Sequence, residues 1–304
     1  MTQLGLKIDV DTERGTRTGV PNLLELFNKL GIKATFLFSL GPDNTGRALK
    51  RIFRPGFFKK VSRTSVVQVY GLKTLCNGIL WPGPHIAQKH GDLMRKAKEA
   101  GHEVGVHCYD HIHWQDNLHK LNEADVRHEV NKAVEAFQNV FGFAPRTMGA
   151  AGWQVSKNSL SAYDDQNLLY ASDARGQKAF FPKIGRKSFK TLQVPTTLPT
   201  LDELLGRPEY PFEALHDHYL KLIQPKALNV LTIHSELEGM AYLDWFEEFL
   251  KKCLAQKTEI LPLQTLALKA LSNKKGIQVL PLIQGTVDGR SGTLALQGDA
   301  GGCS

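Results

Sequence analysis

The chain has 304 residues, 42% of them hydrophobic, and a formal net charge of +8, a length that suits one large α/β domain or two smaller ones. No run of about 18 apolar residues occurs, which argues against a transmembrane helix. The four cysteines, Cys76, Cys108, Cys253 and Cys303, lack the CxxC spacing of a zinc site or disulfide framework.

Leu4, Leu6 and Ile8 alternate with Gly5, Lys7 and Asp9, the period of a strand, and Val10 and Asp11 follow. No cationic-then-apolar leader precedes this strand, so the expected compartment is the cytoplasm. Pro21 to Leu30 predicts a helix, with Leu23, Leu24, Leu26, Phe27 and Leu30 as its apolar stripe and Gly31 as its stop. "KATFLFSL" (33–40) is a buried strand, and strand–helix–strand within about 35 residues predicts a parallel sheet.

Residues 47–83 interrupt this rhythm. Between Asp43 and Asp92 there is no acidic residue, whereas Arg47, Lys50, Arg51, Arg54, Lys59, Lys60, Arg63, Lys73 and Lys89 are interleaved with apolar and aromatic side chains such as Phe53, Phe57, Phe58 and Trp81. Such a stretch suits an anionic, partly apolar partner. A membrane surface or lipid phosphate fits best, a solvated basic face is the plain alternative, and nucleic acid comes third.

A helix over 87–99 leads to the short strand "HEVGVH" (102–107). Residues 123–142 predict a strong helix carrying Val126, Val130, Val134, Phe137 and Phe141 on one side. Further strands are expected at 146–151, 169–172, 190–194, 228–234 and 258–262, with a helix over 240–254. After Lys275 the chain turns Gly-rich, predicting a loose appendage or a hairpin. About seven strands alternating with helices point to a closed or partly closed β/α barrel. Neither GxGxxG nor a P-loop occurs, which weakens nucleotide binding.

Barrel enzymes keep their chemistry at the carboxyl ends of strands, and several expected strands here end in polar residues. The first ends in Asp9 and Asp11, the third in His107 with His111 beyond it. The one at 169–172 runs into Asp173 and Arg175, and the one at 228–234 ends in His234. Two imidazoles and a carboxylate form a common donor set for a catalytic divalent ion, and the second carboxylate is left to serve as a base. Cys108 reads as a small buried neighbour rather than a nucleophile. Histidines 85, 90, 102, 119, 128, 216 and 218 read as structural or surface residues, with His113 the one serious rival ligand.

The segments "IDVDT" (8–12), "HCYDH" (107–111) and "LTIH" (231–234) resemble the motifs of the polysaccharide deacetylase (NodB-homology) family. Further stretches narrow the resemblance: "GPDNTGR" (41–47), "WPG" (81–83), "AAGW" (150–153), "SDARG" (172–176), "QVPTTLPTLDE" (193–203) and "TIHSELEG" (232–239). They are similar to those members that deformylate undecaprenyl-phosphate-linked 4-deoxy-4-formamido-L-arabinose, releasing formate. The resemblance covers residues 1 to about 265 in order.

It implies a distorted (β/α)7 barrel over 1–265, with the basic, aromatic insertion at 47–82 facing the membrane and residues 266–304 as a tail or hairpin. It implies one divalent metal ion (zinc, manganese or cobalt) on Asp11, His107 and His111, with Asp9 as base and His234 as acid. It also implies a peripheral place on the cytoplasmic side of the inner membrane, in lipid A aminoarabinose modification and polymyxin resistance. The family's third motif usually supplies an arginine that tunes the base. "AAGW" has none, so Arg175, close to Asp173, is the expected substitute. Asn44 and Arg47 are expected to face the substrate phosphate, and backbone amides of 149–153, around Gly152 and Trp153, to hold an oxyanion. The rivals are an N-deacetylase of another lipid-linked or polymeric amino sugar, such as peptidoglycan or chitin, and a glycolipid-binding protein on an inactive barrel.

Overall fold

The computed structural model describes residues 2–48, 74 and 76–299. Strand β1 (Gln3–Val10) is buried over all but its first residue. Its even-numbered residues, Leu4, Leu6, Ile8 and Val10, join the main core with Leu23, Leu26 and Phe27 of helix α1 (Val20–Leu30). Gly5, Lys7 and Asp9 therefore point into the barrel, as period-2 alternation requires. Gly31 ends α1 in the left-handed conformation, φ 67°, which glycine adopts without Cβ strain.

Strand β2 (Thr35–Ser39) is wholly buried. Helix α2 (Ile86–Glu99), strand β3 (Glu103–Cys108) and the short helix α3 (His111–Asn117) follow. The long helix α4 (Glu123–Phe141) buries Val126, Val130, Ala133, Phe137 and Val140, so its core stripe is turned slightly from the expected one, leaving Val134 and Phe141 at its margin. Strand β4 (Thr147–Met148), helix α5 (Lys157–Asp165) and strand β5 (Tyr170–Ala171) come next. Strands β6 (Phe181–Ile184) and β7 (Lys187–Ser188) and helices α6 (Leu201–Leu204) and α7 (Leu215–Leu222) lead to strand β8 (Val230–His234). The last elements are α8 (Leu243–Ala255), β9 (Glu259–Leu261), α9 (Leu263–Ser272), β10 (Val279–Gly285) and β11 (Leu294–Gln297).

The main sheet is parallel in the order β5-β4-β3-β2-β1-β8, with β9 beside the first residues of β1. The expected strand at 190–194 does not form. Instead the chain from Leu192 to Leu198 bonds to Ala171 of β5 at one end and to Val230 of β8 at the other. Pro195 and Pro199 lack the N–H a ladder needs. The gap between the edge strands is thus closed by irregular chain, the distortion in this (β/α)7 barrel. The barrel's amino end is plugged by Tyr170, Val194, Val230, Leu263 and Leu266.

The chain after Lys275 forms an antiparallel pair, β10 with β11, and β10 also pairs with β6. This second, four-stranded sheet has its own apolar cluster, including Phe180, Phe189, Leu280, Leu282 and Ala295. Most of the basic insertion, residues 49–73 and 75, lies outside the described residues. No helix among the described residues is long and apolar enough to cross a membrane.

Candidate active site

Parallel pairing of β1 with β8 sets Asp9 directly beside His234, and the Ser235 amide donates to the Asp9 carbonyl at 3.0 Å. On the other flank, β3 delivers His107 to the same rim. Asp110 then accepts the His113 amide at 2.9 Å, an N-cap that turns the chain into α3 and leaves His111 in its first turn.

These local geometries bring three donors together. Asp11 Oδ1 lies 3.2 Å from His107 Nε2 and 3.5 Å from His111 Nε2. Donors about 2.0–2.2 Å from a tetrahedral ion stand roughly 3.3–3.5 Å apart, so the set fits a divalent metal. Asp11 Oδ1 is itself buried without a hydrogen-bond partner. Asp11, His107 and His111 are the metal-competent group found among the described residues. His113 stays outside it, its Nδ1 3.3 Å from Asn117 Nδ2.

The electrostatics fit that assembly. Burial pushes the Asp11 carboxyl up, but His111, His107 and His234 outweigh it and hold the group well below the usual carboxylate range. Burial opposes charge on His107, yet Asp9 and Asp11 prevail and raise it. Two glutamates after β8 brace the rim. Glu236, pushed up to about 8 by burial and by Asp11, accepts from the amides of Asp11 and Thr12 at 3.2 and 2.8 Å. A Cβ on Gly15 would come within 2.0 Å of Glu236 Oε1, so this close approach requires glycine there. Glu238, raised by burial to about 8, accepts from the His234 amide at 3.0 Å.

A profile of the polysaccharide deacetylase family matches residues 8–171. Over 263 residues the chain is 38% identical to a Shewanella sediminis protein named "Probable 4-deoxy-4-formamido-L-arabinose-phosphoundecaprenol deformylase ArnD", covering 86% of this chain and 85% of that one. The chain belongs to the polysaccharide deacetylase family. A Wigglesworthia glossinidia brevipalpis protein of the same name is 34% identical over 285 residues, 93% of this chain and 98% of that one. In fold the chain resembles a solved Mycobacterium smegmatis structure assigned as a polysaccharide deacetylase, with TM-score 0.62, 17% identity and 94% of each chain covered.

The remaining expected residues of this polysaccharide deacetylase family member divide. Asn44 Nδ2 donates to Asp110 Oδ2 at 2.6 Å, so it steadies the cap of the His111 helix. Arg47 lies exposed with its Nε on the Gly78 carbonyl at 3.2 Å. Asp173 is buried and accepts from the Ala150 amide and from Gln193 Nε2 at 2.7 and 2.8 Å. Burial raises it to about 6 against those bonds and against Lys7.

Arg175, the expected tuner of the base, turns away. It donates to Glu203 Oε1 at 2.6 Å and to the Leu198 carbonyl at 2.9 Å. The cation beside Asp9 is Lys7, its Nζ 3.2 Å from Oδ2, a residue not among those expected from the sequence. Its signal was available: a charged residue two positions before Asp9 on a buried strand shares the Asp9 face.

Gly152 and Trp153 both adopt left-handed backbone, φ 59° and 54°, the latter strained for a bulky residue. Within 149–153 three amides are committed to the fold: Gly149 to Val106, Ala150 to Asp173 and Trp153 to the Ala150 carbonyl. That removes them from the expected oxyanion role. Cys108 is buried against Ser39 Oγ at 3.4 Å, and burial pushes its thiol far up, which suits an inert core residue.

Proposed function

We propose that the chain is a metal-dependent deformylase that hydrolyses the formamide of undecaprenyl-phosphate-linked 4-deoxy-4-formamido-L-arabinose to the 4-amino sugar and formate. The observation that carries this reading is the convergence of Asp11, His107 and His111 with Asp9 and His234 at one barrel mouth. It stands in a chain alike over most of its length to two proteins bearing that deformylase name.

In this reading Asp11, His107 and His111 hold one divalent ion, which supplies Lewis acidity to the water and the formyl carbonyl. Asp9 takes the proton from the attacking water. Its Oδ1 is buried without a hydrogen-bond partner and lies 3.8 Å from His107 Nδ1. That distance is too long for a hydrogen bond orienting the imidazole, so the oxygen remains available as a base. His234, beside Asp9 across the sheet, gives a proton to the departing sugar nitrogen as the C–N bond breaks. Each positioned acid or base contributes roughly 10²–10⁴-fold. The products, formate and a protonated amine, balance one amide and one water.

The barrel runs past the expected boundary at residue 265, because α9 (Leu263–Ser272) plugs its amino end, so the catalytic unit extends through α9 and the chain beyond it is the C-terminal addition. The basic insertion docks the enzyme on the cytoplasmic face of the inner membrane, where the lipid-linked sugar lies, and Arg47 meets its phosphate. At the insertion's described edge Ile79, Leu80 and Trp81 are exposed by 50%, 67% and 45%. Three consecutive large apolar side chains in water favour an interfacial partner. The amino sugar then serves lipid A modification and polymyxin resistance.

Mass spectrometry of the lipid-linked formamido sugar, with and without chelator, tests the activity: the expected result is metal-dependent loss of formyl. Acetate release from N-acetylglucosamine oligomers with no deformylation would instead make the chain an N-deacetylase. Flotation with anionic vesicles tests the docking. Neutralising the lysines and arginines of 47–82 should release the protein from the vesicles, and unchanged binding would refute the insertion's role.

A further inference from the structure

Lys7 is the least expected residue of the barrel interior. It sits on β1 with 0% of its surface exposed, where burying an ammonium is costly unless it is held by partners. Its partners are few and directional. Nζ lies 3.2 Å from Asp9 Oδ2, 3.4 Å from the Ser172 carbonyl oxygen and 5.2 Å from the centre of the Trp153 ring. The other charged groups nearby are engaged elsewhere: Asp173 with Ala150 and Gln193, Arg175 with Glu203.

The consequence falls on Asp9. One carboxylate oxygen is pinned by the ammonium, while Oδ1 remains buried, unbonded and turned toward His107. A side chain two residues upstream on a rigid central strand thus chooses which oxygen faces the reaction and at what angle. Nothing else bonded to the Asp9 side chain among the described residues does so.

We infer that Lys7 is a positioning residue for the proposed hydrolysis, holding Asp9 Oδ2 so that Oδ1 alone is presented to the attacking water. This inference rests on the deformylase reading above. A misplacement of about 1 Å at a reacting group costs on the order of 10²-fold, and a carboxylate freed from its one tether is exposed to that loss.

The experiment measures formate release from undecaprenyl-phosphate-linked formamido arabinose, together with metal content by elemental analysis. It compares wild type, Lys7→Met and Lys7→Arg, and repeats Lys7→Met in an Asp9→Asn background. Lys7→Met should lower kcat about 10²-fold with KM little changed and one metal ion still bound per chain. Lys7→Arg, which keeps a cationic donor, should recover most of the rate. On Asp9→Asn, the second substitution should add nothing, because Lys7 acts through Asp9.

Wild-type kcat in Lys7→Met overturns the inference. So does a loss that multiplies on Asp9→Asn, or one that tracks loss of metal. Should Lys7→Met not fold, Lys7→Gln carries the test: a loss of about tenfold or more with metal retained is expected, and undiminished turnover overturns it. An inactive wild type overturns the deformylase reading and this role with it, whereas an active wild type indifferent to Lys7 overturns this role alone.

Discussion

The two ends of the barrel use buried polar groups in opposite ways. At the amino ends of the strands, Glu103 accepts from Thr35 Oγ1, from Tyr170 Oη and from the Gln264 amide, and Thr35 Oγ1 accepts the Leu263 amide. The network ties β2, β3, β5 and α9 together and satisfies the carboxylate. At the carboxyl ends, Asp9 Oδ1, Asp11 Oδ1, His107 Nδ1 and His234 Nδ1 are buried with no hydrogen-bond partner. Unsatisfied buried polar atoms cost roughly 1–3 kcal/mol each, so a fold retains such a cluster where a ligand or reaction completes it. The Glu103 network is structural mortar, and the unsatisfied cluster is where the proposed chemistry would take place.

That contrast breaks first at the proposed metal ligands. Asp11→Ala or His107→Ala should lose the bound ion and lower formate release by at least about 10³-fold, because Lewis-acid stabilisation worth several kcal/mol goes with it. Metal content and turnover measured side by side check this. Asp9→Asn should cost roughly 10²–10⁴-fold in kcat with the ion retained. Loss of the ion there would make Asp9 a ligand rather than a base.

At the opposite end the effects should fall on stability alone. Glu103→Ala strands the Tyr170, Thr35 and Gln264 donors and should lower unfolding free energy by about 1–3 kcal/mol, read by urea titration. The kcat of the folded protein should stay within about twofold, and a large loss of kcat would erase the distinction between the two ends.

The pH dependence sharpens it further. Burial raises Asp173 from its model-peptide value of 3.8 to about 6, so the folded chain binds this proton more tightly than the unfolded chain. Its contribution to stability is therefore fully present below about pH 4 and is lost as pH rises to about 6, on the order of 1–3 kcal/mol. Asp173→Asn should flatten that part of the stability profile. The smallest expected effect is at Asn44. Asn44→Ala removes a bond to the Asp110 cap and should weaken metal affinity by about tenfold, with a modest change in kcat.

The candidate site was largely legible because its residues announce themselves by type and position: carboxylates two apart after a buried strand, imidazoles four apart across a strand–helix junction, and a histidine ending an apolar strand. The neighbour of Asp9 was not. Arg175 lies two residues from Asp173 in the chain, but Glu203 and the Leu198 carbonyl claim its guanidinium. Lys7 looked like an ordinary polar position in an alternating strand. Asn44 looked like a ligand-facing loop residue, and its bond to Asp110 depends on a partner 66 positions away.

The sequence by itself determined the alternation that sends Leu4, Leu6, Ile8 and Val10 to the helices and Gly5, Lys7 and Asp9 inward, and the glycine that ends α1. These are local matters of side-chain period, steric freedom and hydrogen bonding within a few residues. Tertiary structure alone decided that Leu192–Leu198 closes the barrel, that β10 joins β6, and that an ammonium rather than a guanidinium stands against Asp9. Each of those outcomes depends on which groups meet across the packed interior, where the competition for a partner is settled by distance in space and not by distance along the chain.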